Sequence, residues 1–278
     1  MLAMALGVQV SAATNLVTRH IQYGFTLRNT RGEVLPLAEF WVYGPATRTS
    51  SQICRQIRSS HSHQTTADAL GNQALYFTFT NLPPYGVKII TIEAEVECAP
   101  TLPASAESKG TDANAWLKPE RLVEIEDPEF ARLAPPPFGG TNTVTKAEAI
   151  FRWVSRNVKD NGYSARDRGA LYALRERKGD CTEFMCLFVA LCRREGIPAR
   201  GLGGYVCSKN AIVHSTDYHN WAEFYEGGRW RLADPYRKVF LPQTSEHVAT
   251  RIIGTAGGPQ GDFARFRIRG EGLKVEMN

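Results

Sequence analysis

The chain has 278 residues, 43% of them hydrophobic and 22% charged, an ordinary globular composition with enough apolar material for a substantial core and room for two domains. A net charge of +5 is too mild at this length to argue for nucleic-acid binding. No run is long and apolar enough to span a bilayer, so no integral membrane segment is expected.

Residues 1–14, MLAMALGVQVSAAT, have the apolar core and small-residue end of a secretory signal without its positively charged start. With residues 15–17 they read either as a truncated signal peptide or as the lead-in to the first strand. The expectation is export, periplasmic or extracellular, with a cytoplasmic location as the alternative. From 18 to 98 short β segments recur between turn-prone stretches. The clearest is VKIITIEAEVEC, where Val87, Ile89, Thr91 and Glu93 alternate with Lys88, Ile90, Ile92 and Ala94. Strands spaced by Gly, Pro and Asn turns predict a small β-sandwich domain. The polar tract SSHSHQTTADALGN is placed between strands, and its His61 and His63 are not expected to bind metal.

Residues 99–115, rich in Pro, Ser, Ala and Gly, read as a linker, and 116–278 as a second domain. After APPPFGG, Thr145 is expected to cap a helix KAEAIFRWVSRNVKD with Ala149 or Ile150, Trp153, Val154 and Val158 on its buried stripe. A loop and short helix then approach Cys181; within them Tyr163 and Asp167 are either site-lining residues or a turn residue and a helix cap. Asp180 and Glu183 form a capping box, and Phe184, Leu187, Phe188 and Leu191 make the apolar face of a helix that Gly196 and Pro198 end. Cys181 therefore stands at a helix N-terminus, where the dipole favours thiolate and a neighbouring imidazolium would favour it further. His219 lies on a strand with Trp221, Phe224 and Tyr225. Gly227-Gly228 is a hairpin signal that lays this strand beside the one ending at Asp234. His214 and Asp217 are the lesser candidates for base and orienting acid. Arg265, Arg267 and Arg269 share one face of a C-terminal strand, either a solvated row or a receiver of anions.

Six cysteines suit either redox compartment; Cys186, Cys192 and Cys207 read as small core residues, and a Cys54–Cys98 bridge is conceivable only on export. No C-x-x-C pair or EF-hand-like loop exists, and Gly201, Gly203 and Gly204 precede no helix, so neither metal nor cofactor is expected.

The ordered run Gly179-Asp180-Cys181, Gly196-Ile197-Pro198-Ala199-Arg200, Gly204-Tyr205, His219-Asn220-Trp221 and Trp230 to Asp234-Pro235 resembles the transglutaminase-like superfamily, papain-related Cys-His-Asp enzymes, in a bacterial-type form with an N-terminal β domain. The resemblance spans roughly 140–240 and implies an α+β, papain/transglutaminase-like catalytic domain behind the β-sandwich. It implies a triad of Cys181, His219 and Asp234 performing acyl transfer on peptide or protein amides through a thioester, resolved by water or by an amine acceptor. The alternative is a noncatalytic binding or scaffolding module of the same fold. Trp221, Tyr163 and Glu223 are the substrate-binding candidates, Glu223 either lining the cleft or pairing with an arginine. The Cys181 N–H is the natural oxyanion donor.

Overall fold

The computed structural model describes residues 16–102, 113–135, 137–254 and 265–278; the apolar start and most of the expected linker lie outside them. Six strands open the fold: β1 (Val17–Asn29), β2 (Leu35–Gly44), β3 (Gln52–Ser59), β4 (Gln64–Ala67), β5 (Gln73–Leu82) and β6 (Val87–Cys98). Alternation decides which face each buries. On β1, Ile21, Tyr23, Phe25 and Leu27 are buried, and on β6 Ile90, Ile92, Ala94 and Val96, the first three standing opposite Phe25, Tyr23 and Ile21. β1, β6 and β3 form one antiparallel sheet, β2, β5 and β4 another, and their inner faces share one apolar cluster in which the Phe25 and Phe40 rings lie 5.0 Å apart. The polar tract contains β4 rather than a continuous loop: QTTA pairs with β5 although every one of its residues is exposed. Cys54 and Cys98 are both free thiols; the register sets Cys98 opposite Gln52 and Cys54 opposite Val96, so no cross-strand bridge forms between them.

Four helices and a second set of strands follow: α1 (Pro128–Leu133), α2 (Thr143–Asn157), β7 (Lys159–Asp160), α3 (Gly169–Glu176), β8 (Lys178–Gly179), α4 (Cys181–Arg194), β9 (Ala199–Val206), β10 (Ala211–Ile212), β11 (Tyr218–Glu226), β12 (Arg229–Asp234), β13 (Val239–Phe240) and β14 (His247–Ile253). α2 starts earlier than expected because Asn142, not Thr145, is the cap; Thr145 is its reciprocal partner three residues on. Trp153 is half-buried at the edge of the core, and the Arg177 guanidinium lies 4.4 Å from its ring centroid. α4 is the centre of this half. Nearly all its residues are buried, and full burial of Leu187 and Phe188 contributes roughly 1.5–3 kcal/mol each. Strands β13-β12-β11-β9-β14 form the sheet beneath it. Ala222, Phe224 and Ala233 face the helices, whereas Trp221, Leu202, Leu232 and Ile252 pack on the other side with Trp116.

The predicted boundary at 116–278 does not hold as a division of the fold. β15 (Phe266–Arg269) pairs with β2, β16 (Leu273–Met277) pairs with β1, and β10 also joins β1, so the C-terminal strands complete the sheets of the first half. The first half in turn covers the free edge of β14. The buried Gln52 side chain accepts from Ala249 N–H at 2.6 Å and donates to the carbonyls of Ala46 and Ala249, each at 2.9 Å. The buried Asn72 amide treats Ile252 in the same way, accepting at 2.6 Å and donating at 2.9 Å. Two side-chain amides thus take the place of a neighbouring strand on an edge that would otherwise be left unpaired. The described ends of the expected linker are packed rather than loose: Ala99 and Leu102 donate to the carbonyls of Ser51 and Ser50, and Trp116 is buried. Among the described residues no helix is long and apolar enough to cross a membrane.

Candidate active site

The head of α4 is built by the capping box expected from the sequence. Thr182 N–H donates to Asp180 Oδ1 at 2.8 Å, and Asp180 N–H donates to Glu183 Oε2 at 3.0 Å. The remaining carboxylate oxygens hold the preceding loop, Asp180 Oδ2 accepting from Ser164 N–H and Glu183 Oε1 from Arg168 N–H, both at 2.9 Å. Residue 179 must be glycine, since a Cβ there would lie 2.3 Å from that of Glu183. Cys181 is the first residue of the helix, half-buried, with a backbone N–H that the capping box does not engage.

The expectation of a resting thiolate is corrected. Burial pushes the Cys181 thiol up to about 11; a hydrogen bond from Asn220 N–H opposes this, and the carboxylates of Asp180, Asp234 and Glu183 reinforce it. The groups that cap the helix are anions, and in dry surroundings they favour the neutral thiol. An attack at neutral pH therefore needs a base.

His219 and Asp234 meet as the hairpin predicts. β11 and β12 pair antiparallel around Gly227-Gly228, both of which have positive φ, and His219 Nε2 donates to Asp234 Oδ2 at 2.7 Å. Asp234 is fully buried. Burial would raise its carboxyl, but hydrogen bonds from His219, His247 and the Arg237 N–H take it down to about 2. An ionised carboxylate only accepts, so Nε2 of His219 carries the proton, and in the neutral ring Nδ1 holds the lone pair. Residue 220 ties this strand to the head of α4: Asn220 N–H points at the Cys181 sulfur, and Asn220 Nδ2 donates to Thr182 Oγ1 at 2.9 Å. Tyr236 bridges the same junction, its ring 5.6 Å from His219 and 5.3 Å from Phe184.

His247 is the participant the sequence reading missed. It begins β14, packs edge-on against Trp221 at 4.9 Å, and donates from Nε2 to the same Asp234 Oδ2 at 3.0 Å. No local motif marks it, because its partner is reached only through the folded sheet. His219, Asp234 and His247 offer ligand-type atoms within 4.8 Å of one another. Both Nε2 atoms are occupied as donors there. His247 Nδ1 is buried without a partner, so it lacks the outer hydrogen bond that metal-bound imidazoles generally carry. In this arrangement two imidazoles converge on one carboxylate oxygen.

The other candidates separate. Tyr163 is exposed at the rim of a cavity of about 470 Å³ that Cys181, Asp167 and Asn220 also line. Trp221 is 1% exposed and lies under the two imidazoles, not on a cleft wall. Glu223 is wholly buried: it accepts from Arg200 Nε at 2.8 Å, Arg200 Nη2 at 2.6 Å and Ser50 N–H at 3.1 Å, so the arginine-pairing alternative describes it. The His214 ring faces Asn278 O at 3.0 Å, and Asp217 Oδ2 accepts from His214 N–H, which removes both from the dyad. The arginine row divides. Arg269 pairs with Glu39, and Arg267 lies over Trp41 at 5.5 Å, but Arg265 lies over Tyr218 at 4.2 Å and reaches the cavity.

No curated protein matches this sequence. Among solved structures, a proposed cysteine protease from Cytophaga hutchinsonii superposes with a TM-score of 0.63 at 23% identity, covering 95% of this chain and 91% of that one, a likeness of fold. The periplasmic domain of TgpA from Pseudomonas aeruginosa aligns with a TM-score of 0.38 at 12% identity, over 76% of this chain and 90% of that one. Red sea bream transglutaminase aligns at 0.28 and 14% identity, over 76% and 48%. Residues 136–235 match the family model of the transglutaminase-like superfamily. That matched segment, similar to the transglutaminase-like superfamily, holds both the capped helix and the His219–Asp234 hairpin.

Proposed function

We propose that the chain is a cysteine-dependent enzyme that transfers the acyl group of a peptide or protein amide through a thioester on Cys181. The observation that carries this reading is the buried 2.7 Å His219–Asp234 hydrogen bond on the strand tied by Asn220 to the head of α4. His219 Nδ1 takes the proton from the Cys181 thiol as the sulfur attacks the carbonyl carbon, and Asp234 stabilises the imidazolium that forms. The unengaged Cys181 N–H donates to the developing oxyanion. As the tetrahedral intermediate collapses, the C–N bond breaks and the imidazolium gives its proton to the departing amine. Water, or a second amine, then attacks the thioester with His219 again as base, which gives hydrolysis or deamidation in one case and a new amide in the other.

The test is covalent. Full-length protein incubated with glutamine-containing peptides and quenched in acid is expected to gain one acyl mass on the tryptic peptide bearing Cys181, and hydroxylamine should release it. Cys181→Ser should show no such thioester and no turnover. Turnover that survives Cys181→Ser would overturn the reading, and a folded wild type without acylation or turnover would leave the noncatalytic module in its place.

A further inference from the structure

We propose that the Tyr218 hydroxyl is the second donor to the oxyanion formed at Cys181, working with the Cys181 N–H. This deepens the acyl-transfer reading and rests on it.

A tetrahedral oxyanion is stabilised most by a pair of donors already in place, and the Cys181 N–H supplies only one. The other has to come from the wall of the cavity onto which the sulfur opens. Neighbouring donors are committed elsewhere. Asn220 Nδ2 donates to Thr182 Oγ1 at 2.9 Å, Tyr236 Oη to Asp160 Oδ2 at 2.8 Å, and Arg193 Nη2 to Glu120 Oε1 at 2.9 Å. Tyr218 lines the same cavity as Cys181. Its hydroxyl, which has no hydrogen bond among the described residues, is not sealed in the core.

The position of that hydroxyl follows from the sheet. Alternation along β11 puts Tyr218 on the face of Asn220, whose N–H points at the Cys181 sulfur. Asn220 stands opposite Gly203 on β9, and the approach there is close: a Cβ on residue 203 would collide with the Tyr218 hydroxyl and lie 2.9 Å from Asn220 Oδ1. The hydroxyl therefore rests against a bare Cα, beside the residue that reaches the sulfur. Behind it the ring is held on two sides. It packs edge-on against Tyr205 at 5.9 Å, and the Arg265 guanidinium lies 4.2 Å over its face. A donor fixed in this way needs no reorganisation as charge develops on the substrate oxygen. Burial pushes the phenol up to about 12, with Cys181 and Asp167 reinforcing and Arg251 and Arg265 opposing, so the oxygen keeps its proton at neutral pH. Phenylalanine would fill the same space, and the hydroxyl is the part of this residue that packing does not use.

Tyr218→Phe removes the hydroxyl and keeps the ring. Its thermal midpoint should match that of wild type, since no hydrogen bond is lost. With a glutamine-containing peptide, kcat is expected to fall on the order of 10²-fold at unchanged KM. A peptide aldehyde adds a readout independent of turnover. The Cys181 sulfur bonds to its carbonyl carbon and the thiol proton passes to the oxygen, which leaves a tetrahedral hemithioacetal with that oxygen in the oxyanion position. Its Kd, followed by NMR of a labelled carbonyl carbon in the full-length protein, should rise on the order of 10-fold in Tyr218→Phe. The matching peptide alcohol, which forms no adduct, should bind both proteins alike. A rate within threefold of wild type, an unchanged hemithioacetal Kd, or a rise in KM alone would overturn the assignment. If the aldehyde adduct forms and Tyr218→Phe weakens it while wild type turns over no amide, the donor stands and the acyl-transfer reading falls; a wild type that forms no adduct overturns both.

Discussion

The two flanks of the α4 head are opposites. On one side His219, Asp234 and His247 are nearly or fully buried, joined through a single carboxylate oxygen, with Trp221 packed beneath them. On the other side lies a cavity lined by four arginines, with an exposed tyrosine at its rim. In the proposed acyl transfer the closed flank would fix the position of a proton, and the open flank would admit the substrate. Cys181 stands between them, and its thiol is held above the ordinary value by burial first and by the carboxylates of Asp180, Asp234 and Glu183 after that. Damage to the closed flank should lower kcat, and damage to the open flank away from Tyr218 should change KM.

The largest break in this comparison comes from Asp234→Asn. The amide offers an N–H where the imidazole also needs an acceptor, so His219 turns its proton toward the sulfur and ceases to be a base. A loss in kcat on the order of 10³-fold or more is expected, with a thermal midpoint showing the protein still folded. A rate within threefold of wild type would assign Asp234 to structure alone. Alkylation sharpens the same contrast. With the thiol raised to about 11, iodoacetamide labelling of Cys181 should climb roughly 10-fold per pH unit from pH 7 to 9, with no plateau near neutrality. Cys186 and Cys192, fully buried in α4, should stay unlabelled in native protein. A plateau below pH 8 would mean that an imidazolium already holds a thiolate at rest.

Glu223→Gln tests a residue that belongs to neither flank. It leaves the Arg200 guanidinium, which also lies 4.1 Å from the Trp230 ring centroid, buried without its counter-ion. A destabilisation of about 3–5 kcal/mol in urea unfolding is expected, with kcat/KM per folded molecule unchanged. A selective rise in KM at unchanged stability would return Glu223 to the substrate side.

What could be read in advance was what is local. Asp180 and Glu183 are three residues apart, Gly227-Gly228 sits between two β-rich runs, and both signals depend only on near neighbours, so the helix head and the His219–Asp234 pairing were legible. Residues 219, 221 and 223 were correctly placed on one face by their period of two. Which face that is depends on where α4 packs, so Trp221, a substrate-binding candidate by sequence, proves buried under the imidazoles, and of the two alternatives for Glu223 the arginine pair is the one formed. Nothing in the C-terminal strands announces that they pair with β1 and β2, more than 200 residues earlier in the chain, because strand partners are chosen by the whole fold. His247 belongs to the same class: its partner Asp234 is 13 residues away, past β13 and onto another strand.

The smallest effect, and the one most specific to the closed flank, belongs to His247. Phenylalanine there keeps a ring against Trp221 and removes one of the donors to Asp234 Oδ2. His219 would lose nothing directly, but the carboxylate that orients it would lose a fixed contact, so kcat should fall about 10-fold with KM unchanged, the scale seen when an outer hydrogen bond to a working imidazole or carboxylate is lost. His247→Gln, which can still donate an N–H, should recover part of that rate. The sign in acid follows from the same bond. Asp234 sits at about 2 in the folded protein against an ordinary 3.8, so its stabilisation is full above about pH 4 and is lost as the pH falls through 2. Deleting a donor lifts the folded value toward the ordinary one, and the acid-unfolding midpoint of His247→Phe should move to higher pH. If the midpoint stays where it is while kcat falls, His247 acts on His219 by packing through Trp221; if kcat stays while the midpoint moves, the second imidazole serves stability and the dyad works without it.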